Sequence, residues 1–85
     1  MKKIIIYTTK ACPYCLKAKG LLDRKGVEYE ELRVDENPEL ISEAVEKSGG
    51  RTTVPQIFFD DLHVGGCDEL HALENEGELD SVLGI

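Results

Sequence analysis

The chain has 85 residues, 41% of them hydrophobic, with three cysteines and no tryptophan, enough for one small core and too few for two domains. A formal net charge of -7 without a long basic tract speaks against nucleic acid as the main partner, and no apolar run reaches membrane-spanning length. An odd number of thiols fits poorly with a fully paired secreted scaffold and better with a reducing compartment, the cytoplasm.

Met1-Lys2-Lys3 has the basic start of a signal peptide, but the apolar run Ile4-Ile5-Ile6 stops at Tyr7-Thr8, so none is expected. Residues 2 to 8 predict a strand buried on both faces, since the run is β-branched and unbroken. From Pro13 onward Leu16, Ala18, Leu21 and Leu22 recur at helical spacing, Pro13 suits a first-turn position, and Gly26 ends the pattern. Residues 27 to 34 mix apolar residues with charges and predict a second strand nearer an edge. Asn37-Pro38 opens a second helix with Leu40, Ile41, Ala44 and Val45 as its apolar stripe, closed by Gly49-Gly50. After the loop at residues 51 to 55, residues 56 to 60 and 62 to 65 predict a hairpin turning at Asp60-Asp61. Gly65-Gly66 leads into a third helix from Cys67, with Leu70 and Leu73 inward, and Leu79, Val82 and Leu83 suggest a final short helical segment. The order β-α-β-α-β-β-α, with no repeat or linker, predicts a single α/β domain over residues 1–85, a sheet of about four strands with helices on both faces.

Charge is distributed unevenly. Residues 1 to 26 carry seven Lys and Arg against one acid, and the remainder carries three against sixteen acids. The positive charge therefore gathers beside Cys12 and Cys15. A disulfide between them would close a loop too short to stabilise the fold much, so a staple is a poor reading. Residues three apart at a helix start have Cβ atoms about 5 to 6 Å apart, close to disulfide reach. Free N–H groups at the helix start favour a thiolate at Cys12, and Lys10, with Lys17 or Lys19, adds to that effect. Cys15, one turn further in, is the more buried partner and suits a resolving role. Zinc would need two further ligands, and Cys67, His63 and His71 do not make the usual second pair. Two merely buried thiols remain an alternative to a redox dithiol.

Three segments in this order and spacing, CPYC at 12 to 15, TVPQIF at 53 to 58 and GGCDEL at 65 to 70, resemble the dithiol glutaredoxins, closest to the short bacterial glutaredoxin 3 type. The resemblance covers nearly the whole chain. It implies the thioredoxin fold with a four-stranded mixed sheet of order 2-1-3-4, and glutathione-dependent thiol-disulfide oxidoreductase activity serving electron transport. It further implies that Cys12 is the nucleophile, that Cys15 resolves, and that the two form the redox-active disulfide. Val54-Pro55 is implied to be cis and to face the cysteines, with Thr53 and Val54 offering backbone to the cysteinyl part of glutathione. The Cys67 and Asp68 N–H groups after Gly66 would take the γ-glutamyl carboxylate, and the Asp68 side chain its ammonium. Lys10, with Arg51, would take the glycyl carboxylate, and Tyr14 would pack along the ligand. Glutathione is then a co-substrate and no metal is expected. Some glutaredoxins share an iron-sulfur cluster between two chains, which Pro13 in the motif disfavours. Partners implied are glutathionylated or disulfide-containing proteins such as ribonucleotide reductase, met by a monomer. His63 and His71 carry only a structural reading, and Phe58 and Phe59 read as core.

Overall fold

β-Branched Ile4–Thr8 forms β1, and in the computed structural model, which describes residues 2–85, every residue of this strand except Ile5 is buried. Around β1 the sheet is ordered β2-β1-β3-β4. Glu30–Arg33 (β2) lies parallel to β1, with Ile5 opposite Glu30 and Thr8 opposite Arg33. Gln56–Phe59 (β3) runs antiparallel on the other side, pairing Ile4 with Phe59 and Tyr7 with Gln56. Leu62–Gly65 (β4) completes the hairpin, with an irregularity between Ile57 and Phe58. The turn places Asp60 at φ 52°, and its carboxylate accepts the Lys3 N–H at 2.9 Å, a local bond of the kind that lets Asp adopt this conformation. The strand positions, their order and their directions agree with those expected, apart from trimmed ends at β1, β2 and β3.

Side chains alternate across the pleat, and the two faces receive different helices. Ile4, Ile6, Ile57 and Phe59 meet Pro13–Arg24 (α1), Cys67–Asn75 (α3) and Leu79–Leu83 (α4) through Ala18, Leu21, Leu22, Leu70, Leu79 and Leu83. Tyr7 and Phe58 point the other way, toward Ala44 and Leu40 of Glu39–Lys47 (α2). Their rings meet edge to face at 5.7 Å, a favoured aromatic arrangement, under the Lys47 ammonium 4.8 Å from the Phe58 ring. Lys25, just past α1, ties that end of the molecule together through ion pairs of 2.7 Å to Glu74 and Asp80.

Two apolar residues expected inward are exposed: Leu16 at 62% and Ile41 at 49%. In α1 the inward face is set by Cys15, Ala18 and Leu22, spaced three and four apart, and Leu16 falls outside it. The cysteine, not the larger leucine, occupies the buried position.

Candidate active site

Pro13 occupies the first turn of α1, where its missing N–H costs nothing. Cys12 is therefore the N-cap, in extended conformation, and its Sγ accepts the Cys15 N–H at 3.2 Å. A sulfur stands where serine or aspartate commonly satisfies a free helix donor. Both thiols are free. Cys12 lies at the edge of burial with 9% exposure, whereas Cys15 is 1% exposed. Burial and the contact with Cys12 push the Cys15 thiol up to about 12, as expected where a charged form is desolvated. The pair is thus asymmetric in burial, as its helix position suggests.

The second segment reaches the cysteines from across the fold. The Val54-Pro55 peptide is cis, and the Val54 carbonyl faces the Cys12 thiol, S to O 3.7 Å. Val54 precedes β3, so its backbone lies outside the sheet ladder. Behind this loop stands buried Gln56, whose amide donates to the Thr53 carbonyl at 3.0 Å and to Thr53 Oγ1 at 3.3 Å. Its remaining carbonyl must then accept from His63 Nε2, at 2.7 Å, which fixes the tautomer of that ring. His63 also stacks on Phe58, centroids 4.9 Å apart. Burial first, and the Arg51 charge second, hold its pKa below the ordinary value.

The third segment supplies a helix N-terminus. Gly66 is the N-cap of α3 and has no side chain to satisfy the donors that follow, which leaves the first N–H groups of the helix open. Glu69 reaches back to the Gly66 N–H at 3.0 Å, one half of a capping box. The same Glu69 oxygen receives Arg51 Nη1 at 2.7 Å. Gly66 N–H, then Arg51, holds the Glu69 carboxyl below its ordinary range. Gly65 permits this with φ +118°, where an added Cβ would stand 2.5 Å from Glu69 Oε1.

An open cleft joins the segments, lined by Tyr14, Arg51, Thr53, Val54, Pro55, Gly66, Cys67, Asp68 and Glu69. Tyr14 is 57% exposed with Lys17 over its ring at 5.5 Å. Lys10 is not in the lining. It is exposed, and its backbone N–H donates to Asp35 Oδ2 at 3.2 Å. Arg51, expected beside Lys10, instead lies against Glu69 at the start of α3. Cys67 borders the cleft, its thiol raised chiefly by burial and 3.4 Å from His71 Nδ1. Among the described residues no three His, Cys, Asp or Glu side chains gather to hold a metal, and no helix is long and apolar enough to cross a membrane. Glu69 and Gln56 lie within the GGCDEL and TVPQIF segments, yet neither segment by itself assigns them a role. The one available signal is their position, three residues past Gly66 and next to Pro55.

The Glu69 contacts predict a pH effect. Its carboxyl is depressed on folding, so the stabilisation is complete above the unfolded value of 4.5 and is lost as pH falls through the lower folded value. Thermal melts between about pH 6 and about pH 3 should fall less steeply for Glu69→Gln than for the parent chain. Equal slopes would remove Glu69 from the acid response.

The glutaredoxin family profile matches residues 4–64, the span that holds the first two segments. The chain is 55% identical over 83 residues to a glutaredoxin of Pseudomonas aeruginosa, covering 98% of both chains. It is 52% identical over 83 residues to glutaredoxin 3 of Escherichia coli K12, covering 98% of this chain and 99% of that one. The solution structure of a Brucella melitensis glutaredoxin superposes with TM-score 0.84 at 57% identity, covering 98% of this chain and 89% of that one. A crystal structure of a buckwheat glutaredoxin-glutathione complex superposes with TM-score 0.87 at 28% identity, covering 98% and 77%. With a reduced cysteine pair at a helix start, a cis-proline loop facing it and this degree of identity, the chain belongs to the glutaredoxin family, the thioredoxin-fold thiol-disulfide oxidoreductases that work with glutathione.

Proposed function

We propose that the chain reduces glutathione mixed disulfides through Cys12 alone and protein disulfides through Cys12 and Cys15 together. The observation that carries this reading is the Val54 carbonyl facing the Cys12 thiol at the edge of a cleft that ends in the N-terminus of α3. A tripeptide disulfide laid along that cleft has its sulfur at Cys12 and its backbone against Thr53 and Val54, in the manner of an added strand. Its γ-glutamyl carboxylate meets the Cys67 and Asp68 N–H groups, and its ammonium meets the exposed Asp68 carboxylate. Tyr14 covers one side. Arg51, paired with Glu69, sits at the γ-glutamyl end and offsets the acid beside the anion seat. Lys10, two residues before Cys12 on a long side chain, reaches in from outside the lining toward the glycyl carboxylate.

In the monothiol route the Cys12 thiolate attacks the glutathione sulfur, and the substrate thiol leaves. A second glutathione attacks the Cys12-glutathione disulfide and releases glutathione disulfide. In the dithiol route Cys12 forms a mixed disulfide with the substrate, and Cys15 displaces the substrate thiol to leave the Cys12-Cys15 disulfide, which glutathione reduces. Nucleophile and leaving group both gain from thiolate stability. The chain works as a monomer in the cytoplasm, with disulfide enzymes such as ribonucleotide reductase among its partners.

The test is an NADPH-coupled assay on a glutathione mixed disulfide, run with glutathione and its reductase or with thioredoxin reductase alone. Turnover is expected only in the first arm. Turnover with thioredoxin reductase alone would assign a redoxin that does not depend on the glutathione cleft.

A further inference from the structure

Outside the cleft, a part-buried polar cluster links β1, α1 and β2. Thr8, fully buried at the end of β1, donates to Glu31 Oε2 at 2.6 Å. Lys19 Nζ reaches the same oxygen at 2.8 Å, with the Lys19 and Glu31 side chains only 22% and 29% exposed. Three elements, β1, α1 and β2, therefore converge on one carboxylate oxygen. Lys19 follows Cys15 by four residues and shares its face of α1. The face is the buried one, since Cys15 and Ala18 are 1% and 0% exposed. A lysine there gives up rotamer freedom and part of its hydration, and a second-strand carboxylate with its own buried donor fixes where its charge sits.

We propose that Lys19, held in place by Glu31 and Thr8, is a positioning residue for the resolving step: its fixed ammonium favours thiolate formation at Cys15 as that thiol attacks. The proposal rests on the reading that Cys15 resolves. The step is Cys12-S-S-R plus Cys15-SH giving Cys12-S-S-Cys15 plus R-SH. The new bond joins the two cysteine sulfurs, the bond from Cys12 to the substrate sulfur breaks with its electron pair, and the Cys15 proton ends on the departing thiol. Burial works against ionisation of Cys15, while Lys19 and the Thr9 backbone work for it. The groups whose charge acts on Cys15 include Cys12 and Lys19, with the Glu31 carboxylate held against that same ammonium at 2.8 Å, and those acting on or near Glu31 include Lys19, Arg33 and Tyr29. Lys19 is thus the cation that serves the deep thiol, in contrast to Lys10 and Lys17 near the surface.

The experiment is stopped-flow reaction with Ellman's reagent in a Cys67→Ser background, where Cys12 releases one coloured thiolate and Cys15 a second. Lys19→Gln should slow the second release about tenfold at neutral pH, the equivalent of about one unit of thiol pKa, and move its pH profile upward. Lys19→Arg should restore the rate to within about twofold, because it keeps the charge. A second release in Lys19→Gln with the parent rate and pH profile would overturn the proposal. Persistence of the second release in Cys15→Ser would instead overturn the resolving role itself, so the two failures are distinct.

Discussion

Cys12→Ser should lose at least about 10³-fold in reduction of both glutathione mixed disulfides and protein disulfides, because the first bond to sulfur cannot form. Cys15→Ser should keep the first reaction and lose the second. The contrast follows from position: Cys12 is the cap residue facing the cleft through Val54, and Cys15 is 1% exposed beneath it, out of reach of a bulky substrate. Parallel assays with a small glutathionylated thiol and a disulfide-bonded protein measure the two routes. Serine keeps the side-chain volume close and can still accept the Cys15 N–H at position 12, so folded protein is expected for both variants and circular dichroism checks it. Loss of both reactions in Cys15→Ser would contradict the division of labour. Retention of either in Cys12→Ser would move the nucleophile elsewhere.

Gly65→Ala should both destabilise the protein and raise KM for a glutathione mixed disulfide. At φ +118° the position suits glycine almost alone, and forcing a side chain there costs about 1 to 3 kcal/mol. The added methyl would also stand 2.5 Å from Glu69 Oε1. The carboxylate is the movable party, and its displacement breaks the bond to the Gly66 N–H and the pair with Arg51 together. Loss of both contacts loosens the start of α3, where the γ-glutamyl end is proposed to bind, so the functional effect should fall on KM more than on kcat. Chemical denaturation gives the stability change and the mixed-disulfide assay gives the split. An unchanged KM in a destabilised Gly65→Ala would separate Glu69 from ligand binding and leave it a structural cap.

Much of this was legible because it is local. The run Ile4-Ile5-Ile6, the stripe of Ala18, Leu21 and Leu22, the Gly65-Gly66 junction and the CPYC segment each express a rule that operates over a few residues. The two exposed side chains, Leu16 and Ile41, mark where periodicity alone misleads: a helix face is chosen by what it meets, and α1 meets the sheet with Cys15 and Ala18. The links that organise the site span longer distances. Arg51 and Glu69 are separated by 18 residues, and Thr8 and Glu31 by 23. No spacing announces such pairs, which exist only once β1, β2 and β3 lie side by side. Lys10 illustrates the converse. Its closeness to Cys12 in sequence suggests a place in the cleft, yet the chain turns at residues 10 to 11 and leaves it outside the lining.

The bond from the Cys15 N–H to Cys12 Sγ ties the electron inventory of the protein to its helix. An ionised sulfur is a far better acceptor for that amide than a disulfide sulfur, so the fold with Cys12 as thiolate keeps the cap and the oxidised fold surrenders most of it. In a closed thermodynamic cycle any such preference must reappear as oxidising power. A cap contribution of about 1 kcal/mol corresponds to about 20 mV for a two-electron couple. The first turn of α1 is therefore a small battery, charged when the chain folds and drawn on each time the pair accepts electrons.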